Sequence, residues 1–130
     1  MKLLLDTHIL IWSLEENPRL AMRLIDILEN EGNQLFVSQA SFFEMAIKIN
    51  LGKLESPLGL SFPQLKTHLE HHNVKILAVE PEHLETFRRL PLHHKDPFDR
   101  MLVAQAISES ATLVSDDEFF GLYDVELISA

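Results

Sequence analysis

Carboxylates recur just after short apolar runs in this chain, and their placement narrows the chemistry open to it. Asp6 closes Met-Lys-Leu-Leu-Leu, and Glu44 comes shortly after Leu35-Phe36-Val37. Asp96 and Asp99 open a long apolar segment, and Asp116 and Asp117 follow Thr112-Leu113-Val114-Ser115. In an open parallel sheet the chain leaves each strand at its carboxyl end, and those ends share the edge where ligands bind. Acids brought to that edge from distant parts of the sequence repel one another unless a cation sits among them. Oxygen donors of this kind suit Mg²⁺ or Mn²⁺. The pattern predicts a divalent-metal site.

Each acid also has an ordinary structural role open to it. Asp6 or Thr7 fits a helix N-cap. Ser41-Phe42-Phe43-Glu44 matches a capping box, and Glu44 with Lys48 matches an i, i+4 ion pair. Yet Phe42, Phe43, Met45, Ala46, Ile47 and Ile49 make that segment apolar nearly all round, where an unpaired carboxylate is costly. Asp96 before Pro97 reads as a helix start. Asp99 differs, because it shares an apolar face with Val103 and Ala106, and a cation accounts best for its charge there. One of Asp116 and Asp117 fits the cap of a short turn, while the other points to the edge that holds Asp6. His71-His72 and His93-His94 are adjacent pairs whose side chains diverge, so no zinc site is expected. The chain has no nucleophile elbow, P-loop or dinucleotide fingerprint.

Such a site needs strands to present it. Short apolar runs at 3–5, 35–37, 75–79, 112–114 and near 125–128 read as strands. Helical patterns fall at 9–15, 19–30, 38–50, 62–72, 81–90 and 97–109, with an irregular loop at 56–63. In the second helix Pro18 is expected in the first turn, and Leu20, Leu24, Ile27 and Leu28 form its apolar stripe. Strands alternating with helices predict a single α/β domain over residues 1–130. Its architecture is a three-layer sandwich, a parallel sheet of about five strands with helices on both faces.

The bulk properties agree with one globular unit. The 130 residues are 46% hydrophobic, without a cysteine and without an apolar run of membrane-spanning length. The first residues lack the apolar core of a signal peptide, so a cytoplasmic location is expected. A formal net charge of −9 argues on its face against nucleic acid. All 11 Lys and Arg lie at or before Arg100, however, and a metal site is itself acidic. Lys48, Lys53, Lys95 and Arg100 sit close in sequence to the acids and are candidate phosphate contacts. Ile9, Leu10, Trp12, Phe42 and Phe43 supply more apolar surface than one sheet face needs, which marks a partner surface.

Five blocks in order resemble the PIN domain, in particular the VapC-type toxins of prokaryotic toxin–antitoxin pairs. They are Leu-Leu-Asp6-Thr-His-Ile-Leu-Ile-Trp12, Val37-Ser-Gln-Ala-Ser-Phe-Phe-Glu44-Met-Ala-Ile-Lys48 and Leu51-Gly-Lys-Leu54. Leu92-His-His-Lys-Asp-Pro-Phe-Asp-Arg-Met-Leu102 and Thr112-Leu-Val-Ser-Asp-Asp117 complete the set. The resemblance implies a five-stranded parallel sheet and an acidic quartet of Asp6, Glu44, Asp99 and Asp117, which serve as catalytic and metal-binding residues. Ser115 stands at the position of a supporting hydroxyl, with Thr7, Asp96 and Asp116 nearby, and register alone separates Asp116 from Asp117. The implied activity is that of an endoribonuclease dependent on Mg²⁺ or Mn²⁺, with a cognate antitoxin and a homodimeric state. A haloacid-dehalogenase-like phosphatase would want an acid at position 8, which is His. A response-regulator receiver would want a Lys near the last strands, and no basic residue follows Arg100. The non-enzymatic alternative is an inactive PIN-like module that binds RNA or protein.

Overall fold

In the computed structural model, which describes residues 1–129, five strands form one parallel sheet. The strands are β1 (Lys2–Leu5), β2 (Gln34–Ser38), β3 (Val74–Leu77), β4 (Thr112–Ser115) and β5 (Leu127–Ser129). The helices are α1 (Thr7–Leu14), α2 (Met22–Glu29), α3 (Gln39–Asn50), α4 (Phe62–His71), α5 (Pro81–Arg89) and α6 (Pro97–Ser108). Strand order is β3-β2-β1-β4-β5, with Leu4 of β1 facing Phe36 on one side and Leu113 on the other.

Alternation along β1 divides the core in two. Leu3 and Leu5 pack with Ile9, Leu10, Leu24, Val37, Met45 and Leu65 on one face of the sheet. Leu4 packs with Leu102, Val103, Ala106, Leu113 and Phe120 on the other. Successive strand residues point to opposite faces, so a strand buried on both sides reads as an unbroken apolar run. This is the three-layer α/β sandwich expected from the sequence.

Four boundaries depart from the periodicity, the first being that of α1, which starts at Thr7 rather than at residue 9 because Asp6 caps it. The second helix starts at Met22 rather than at residue 19, and Pro18 lies outside it. The Asn17 side chain accepts from the Arg19 N–H (2.9 Å) and its carbonyl from the Leu20 N–H (3.0 Å), a local turn that competes with helix. The third strand ends at Leu77. Beyond it the Ala78 carbonyl accepts from Gln105 and the Val79 N–H donates to Gln39, so side chains replace the sheet ladder. The last strand begins at Leu127, two residues later than expected. Elsewhere the local chemistry behaves as its residue types dictate. At the end of α3, Gly52 takes φ +73°, while the Lys53 N–H reaches the Lys48 carbonyl (2.8 Å) and the Gly52 N–H that of Ile49 (3.0 Å). That is a Schellman stop.

On the outer side of α6, His83 is fully buried. Its Nδ1 accepts from the Glu80 N–H at 2.9 Å and its Nε2 donates to Glu109 at 3.1 Å, fastening α5 to α6.

Candidate metal centre

The chain runs from β1 to β2 and β3 in one direction across the sheet, while β4 and β5 lie on the opposite side of β1. The order therefore reverses between β1 and β4, and such a switch point opens a crevice beyond the carboxyl ends of the two strands. Asp6 leaves β1 there, and Ser115 ends β4 with Asp117 two residues on. Helix α3, entered from β2, brings Glu44, and the first turn of α6 brings Asp99.

Asp6 is buried and caps α1, its Oδ1 accepting from the Ile9 N–H at 2.8 Å. Its Oδ2 accepts from the Ser115 hydroxyl, whose oxygen in turn accepts from the Asp117 N–H at 3.0 Å. Burial pushes the Asp6 carboxyl up to about 6, against the lowering pull of Ser115 and Ile9. Asp99 is pushed further, to about 7, first by burial and then by the negative charges of Asp96, Glu44 and Asp6; His94 opposes the rise. The acids delivered by β1, α3 and α6 are thus near enough to repel.

Glu44 stands in the middle of α3, with 7% of its surface exposed. Its Oε2 meets Lys48 Nζ at 3.1 Å, whereas its Oε1 is buried without any hydrogen-bond partner. The capping box that Ser41 and Glu44 match in sequence does not form. Ser38 caps α3 instead, accepting from the Ala40 N–H at 2.9 Å, and Ser41 accepts from the Thr7 hydroxyl at 3.0 Å. Thr7 therefore ties the start of α1 to α3 beside the acids.

Asp96 is the N-cap of α6, accepting from the N–H groups of Phe98 (2.8 Å) and Asp99 (3.2 Å). Asp117 caps the 3₁₀ turn Glu118–Leu122 through the Phe119 N–H (2.9 Å), yet turns its other oxygen toward Asp99's side of the site. Asp116 is exposed and acts on Asp6 only through its charge. Lys53 and Lys95 are exposed. Arg100 turns toward α5, its guanidinium 4.5 Å over the Phe87 ring and within 3.5 Å of the Leu90 carbonyl.

Sequence reasoning missed His94. Its Nε2 lies 3.1 Å from both Asp99 Oδ2 and Asp117 Oδ2, and its Nδ1 accepts from the Asp96 N–H at 3.1 Å. The side chains of His93 and His94 do diverge, with His93 packed edge-on against Tyr123 at 5.1 Å. The overlooked signal was not a second histidine but an acid, since His94 stands two residues before the cap Asp96 and five before Asp99. His68 on α4 and His72, its C-cap, stand four apart with ring centroids at 4.5 Å, but His72 Nδ1 is committed to donating to the His68 carbonyl at 2.8 Å. Among the described residues, His94, Asp99 and Asp117 are the one group of three metal-competent side chains whose ligand atoms converge within 4.8 Å.

A buried carboxylate oxygen with no partner and a carboxyl forced to keep its proton near neutrality both mark a site short of positive charge. Hard oxygen donors crowded in this way fit a divalent cation. The fold and its acid-lined edge define the class. Residues 3–125 match the PIN domain, and the chain belongs to that family. Ribonuclease VapC22 of Mycobacterium tuberculosis is 31% identical over 117 residues, 88% of this chain and 85% of that protein. The fold is similar to chains in the crystal structure of VapBC2 from Rickettsia felis bound to a promoter DNA fragment (TM-score 0.72, 18% identity, 99% of this chain and 98% of that one). It is also similar to FitAcB of Neisseria gonorrhoeae (TM-score 0.65, 17% identity, 98% and 96%).

Proposed function

We propose that this PIN domain is the toxin of a type II toxin–antitoxin pair, an endoribonuclease that hydrolyses RNA phosphodiester bonds with Mg²⁺ or Mn²⁺. The observation that carries the reading is the crowding of Asp99 by the charges of Glu44 and Asp6, with Asp117 across the His94 ring from it and one buried Glu44 oxygen left unpartnered. The kinship with Ribonuclease VapC22 supports RNA as the substrate. The fold shared with the VapBC complex supports an antitoxin partner.

In this reading Asp6, Asp99, Glu44 and Asp117 hold the cation. When bound it supplies positive charge against the scissile phosphate and makes an attacking water more acidic. Ser115 fixes the Asp6 carboxylate and the Asp117 backbone together, and Asp96 sets the angle of the turn that presents Asp99. Asp117, rather than Asp116, is the acid of the site, because Asp116 is exposed while Asp117 reaches the His94 ring at 3.1 Å. Lys48, Lys53 and Lys95 give the approaching backbone positive charge. Arg100 as placed braces α6 against α5.

The test is cleavage of a cellular RNA pool by the purified chain. Cleavage with Mg²⁺ or Mn²⁺ is expected, lost in excess chelator and lost again in Asp6→Asn and Glu44→Gln. Full cleavage in chelator would remove the metal from the mechanism. RNA binding without any cleavage would return the chain to the class of inactive PIN-like modules.

A further inference from the structure

The His94 ring is held from two sides. The Asp96 N–H points at its Nδ1 from 3.1 Å, so that nitrogen presents a lone pair and the ring proton lies on Nε2. Nε2–H then faces the Asp99 and Asp117 carboxylates, both at 3.1 Å. A cation held by Asp99 and Asp117 would need carboxylate oxygens at about 2.0–2.1 Å for Mg²⁺, and the Nε2–H now aimed at both carboxylates would compete with it for them. In this pose Nε2 has no lone pair to offer a metal. To become a ligand the ring would need its proton on Nδ1, facing the Asp96 N–H, and that contact would be lost.

We propose that His94 is a stand-in for the cation: its N–H bridges Asp99 and Asp117 in the metal-free protein and must leave as metal enters. The ring is a positioning residue that keeps the two acids from repelling each other apart, and it competes with metal for them. The inference rests on the metal-binding reading of the site. Two observations favour competition over ligation. One is the tautomer fixed by the Asp96 backbone. The other is that the ring is packed from outside the acids by Phe119 (5.3 Å between centroids) and Phe120 (6.1 Å), which support it in the bridging pose.

The experiment is Mn²⁺ titration by calorimetry on the full chain and on His94→Ala and His94→Phe, paired with thermal unfolding in chelator. His94→Phe keeps a ring against Phe119 and Phe120 and separates packing from hydrogen bonding. Both variants are expected to bind Mn²⁺ more tightly, by roughly tenfold, the size of one charge-assisted hydrogen bond removed from the metal-free state. Both are expected to melt lower than the native chain in chelator and to gain more from added Mn²⁺. Unchanged or weaker Mn²⁺ binding in both variants, with the native chain binding normally, overturns the stand-in role; weaker binding would make His94 a ligand. If neither the native chain nor the variants bind Mn²⁺ or Mg²⁺, the metal reading itself fails, and the inference with it.

Discussion

Asp99 concentrates the cost of the site in a single carboxyl group. In the folded chain it keeps its proton up to about pH 7, whereas in the unfolded chain it ionises near 4. Below about pH 4 both states carry the proton and the shift costs nothing. Between about 4 and 7 the folded state binds more protons than the unfolded one, so stability falls as pH rises, and the penalty is complete above 7. In chelator, Asp99→Asn should therefore match the native chain near pH 4. It should exceed it at pH 8 by on the order of 1 kcal/mol, after discounting for the partly exposed carboxylate. Denaturant unfolding across that range measures the difference, and a gain that grows toward low pH would contradict the assignment. The same substitution should abolish RNA cleavage. Asp6, pushed up to about 6, adds a smaller penalty of the same sign.

At the scale of elements, the caps do two jobs at once. Asp6, Asp96 and Asp117 each accept from the backbone of the helix or turn that follows, and Asp6 and Asp117 are also among the four acids proposed to hold the cation. Asp96 separates the roles, since both bonds of its Oδ1 go to backbone N–H groups of α6. Asp96→Ala is expected to cost about 1 kcal/mol through the lost cap while leaving measurable cleavage at low temperature. A variant of full stability and no activity would make Asp96 part of the chemistry instead. Helix α3 carries a comparable division. Glu44 faces the site, and Phe43, one residue earlier, is 63% exposed and packs edge-on against Phe98 at 5.6 Å.

At the scale of the whole molecule, apolar surface is left over. Of the residues expected to mark a partner surface, Ile9 and Leu10 are in the core, and Trp12 and Phe42 pack against it; Phe43 alone stands out into solvent. With Leu84, Phe87, Phe98 and Met101 it lines a groove of about 480 Å³ between α3, α5 and α6. The homodimer proposed from the family resemblance has a suitable face here. Light scattering at micromolar concentration is expected to give a dimer, and Phe43→Glu a monomer. A native chain already monomeric under those conditions would exclude it. The cation should act on the whole fold as well. At about 100 times its dissociation constant a ligand confined to the folded state adds about 2.7 kcal/mol, so Mn²⁺ should raise the melting temperature by several degrees over chelator. No helix among the described residues is long and apolar enough to cross a membrane.

Much of this was written in the sequence. Apolar runs such as Leu3-Leu4-Leu5 and Leu113-Val114, alternating with helical patterns, point to strands of a parallel sheet covered on both faces. The same alternation brings Asp6 and Glu44 close enough for their charges to act on Asp99, with Asp117 across the His94 ring. Asp96-Pro97 and Leu51-Gly52 specify their helix ends through backbone chemistry that needs no distant partner. The tertiary structure decided the rest, because it depends on groups far apart in the chain. Ser41 lies inside α3 and takes a hydrogen bond from Thr7, 34 residues away, while Ser38 caps the helix. Arg100 finds Phe87, and Asp117 rather than Asp116 meets a ring set 23 residues earlier. His94 itself was invisible to periodicity. Its position is set by the Asp96 backbone, two aromatic rings and two carboxylates, contacts that exist only once β4 and α6 are packed on the same sheet.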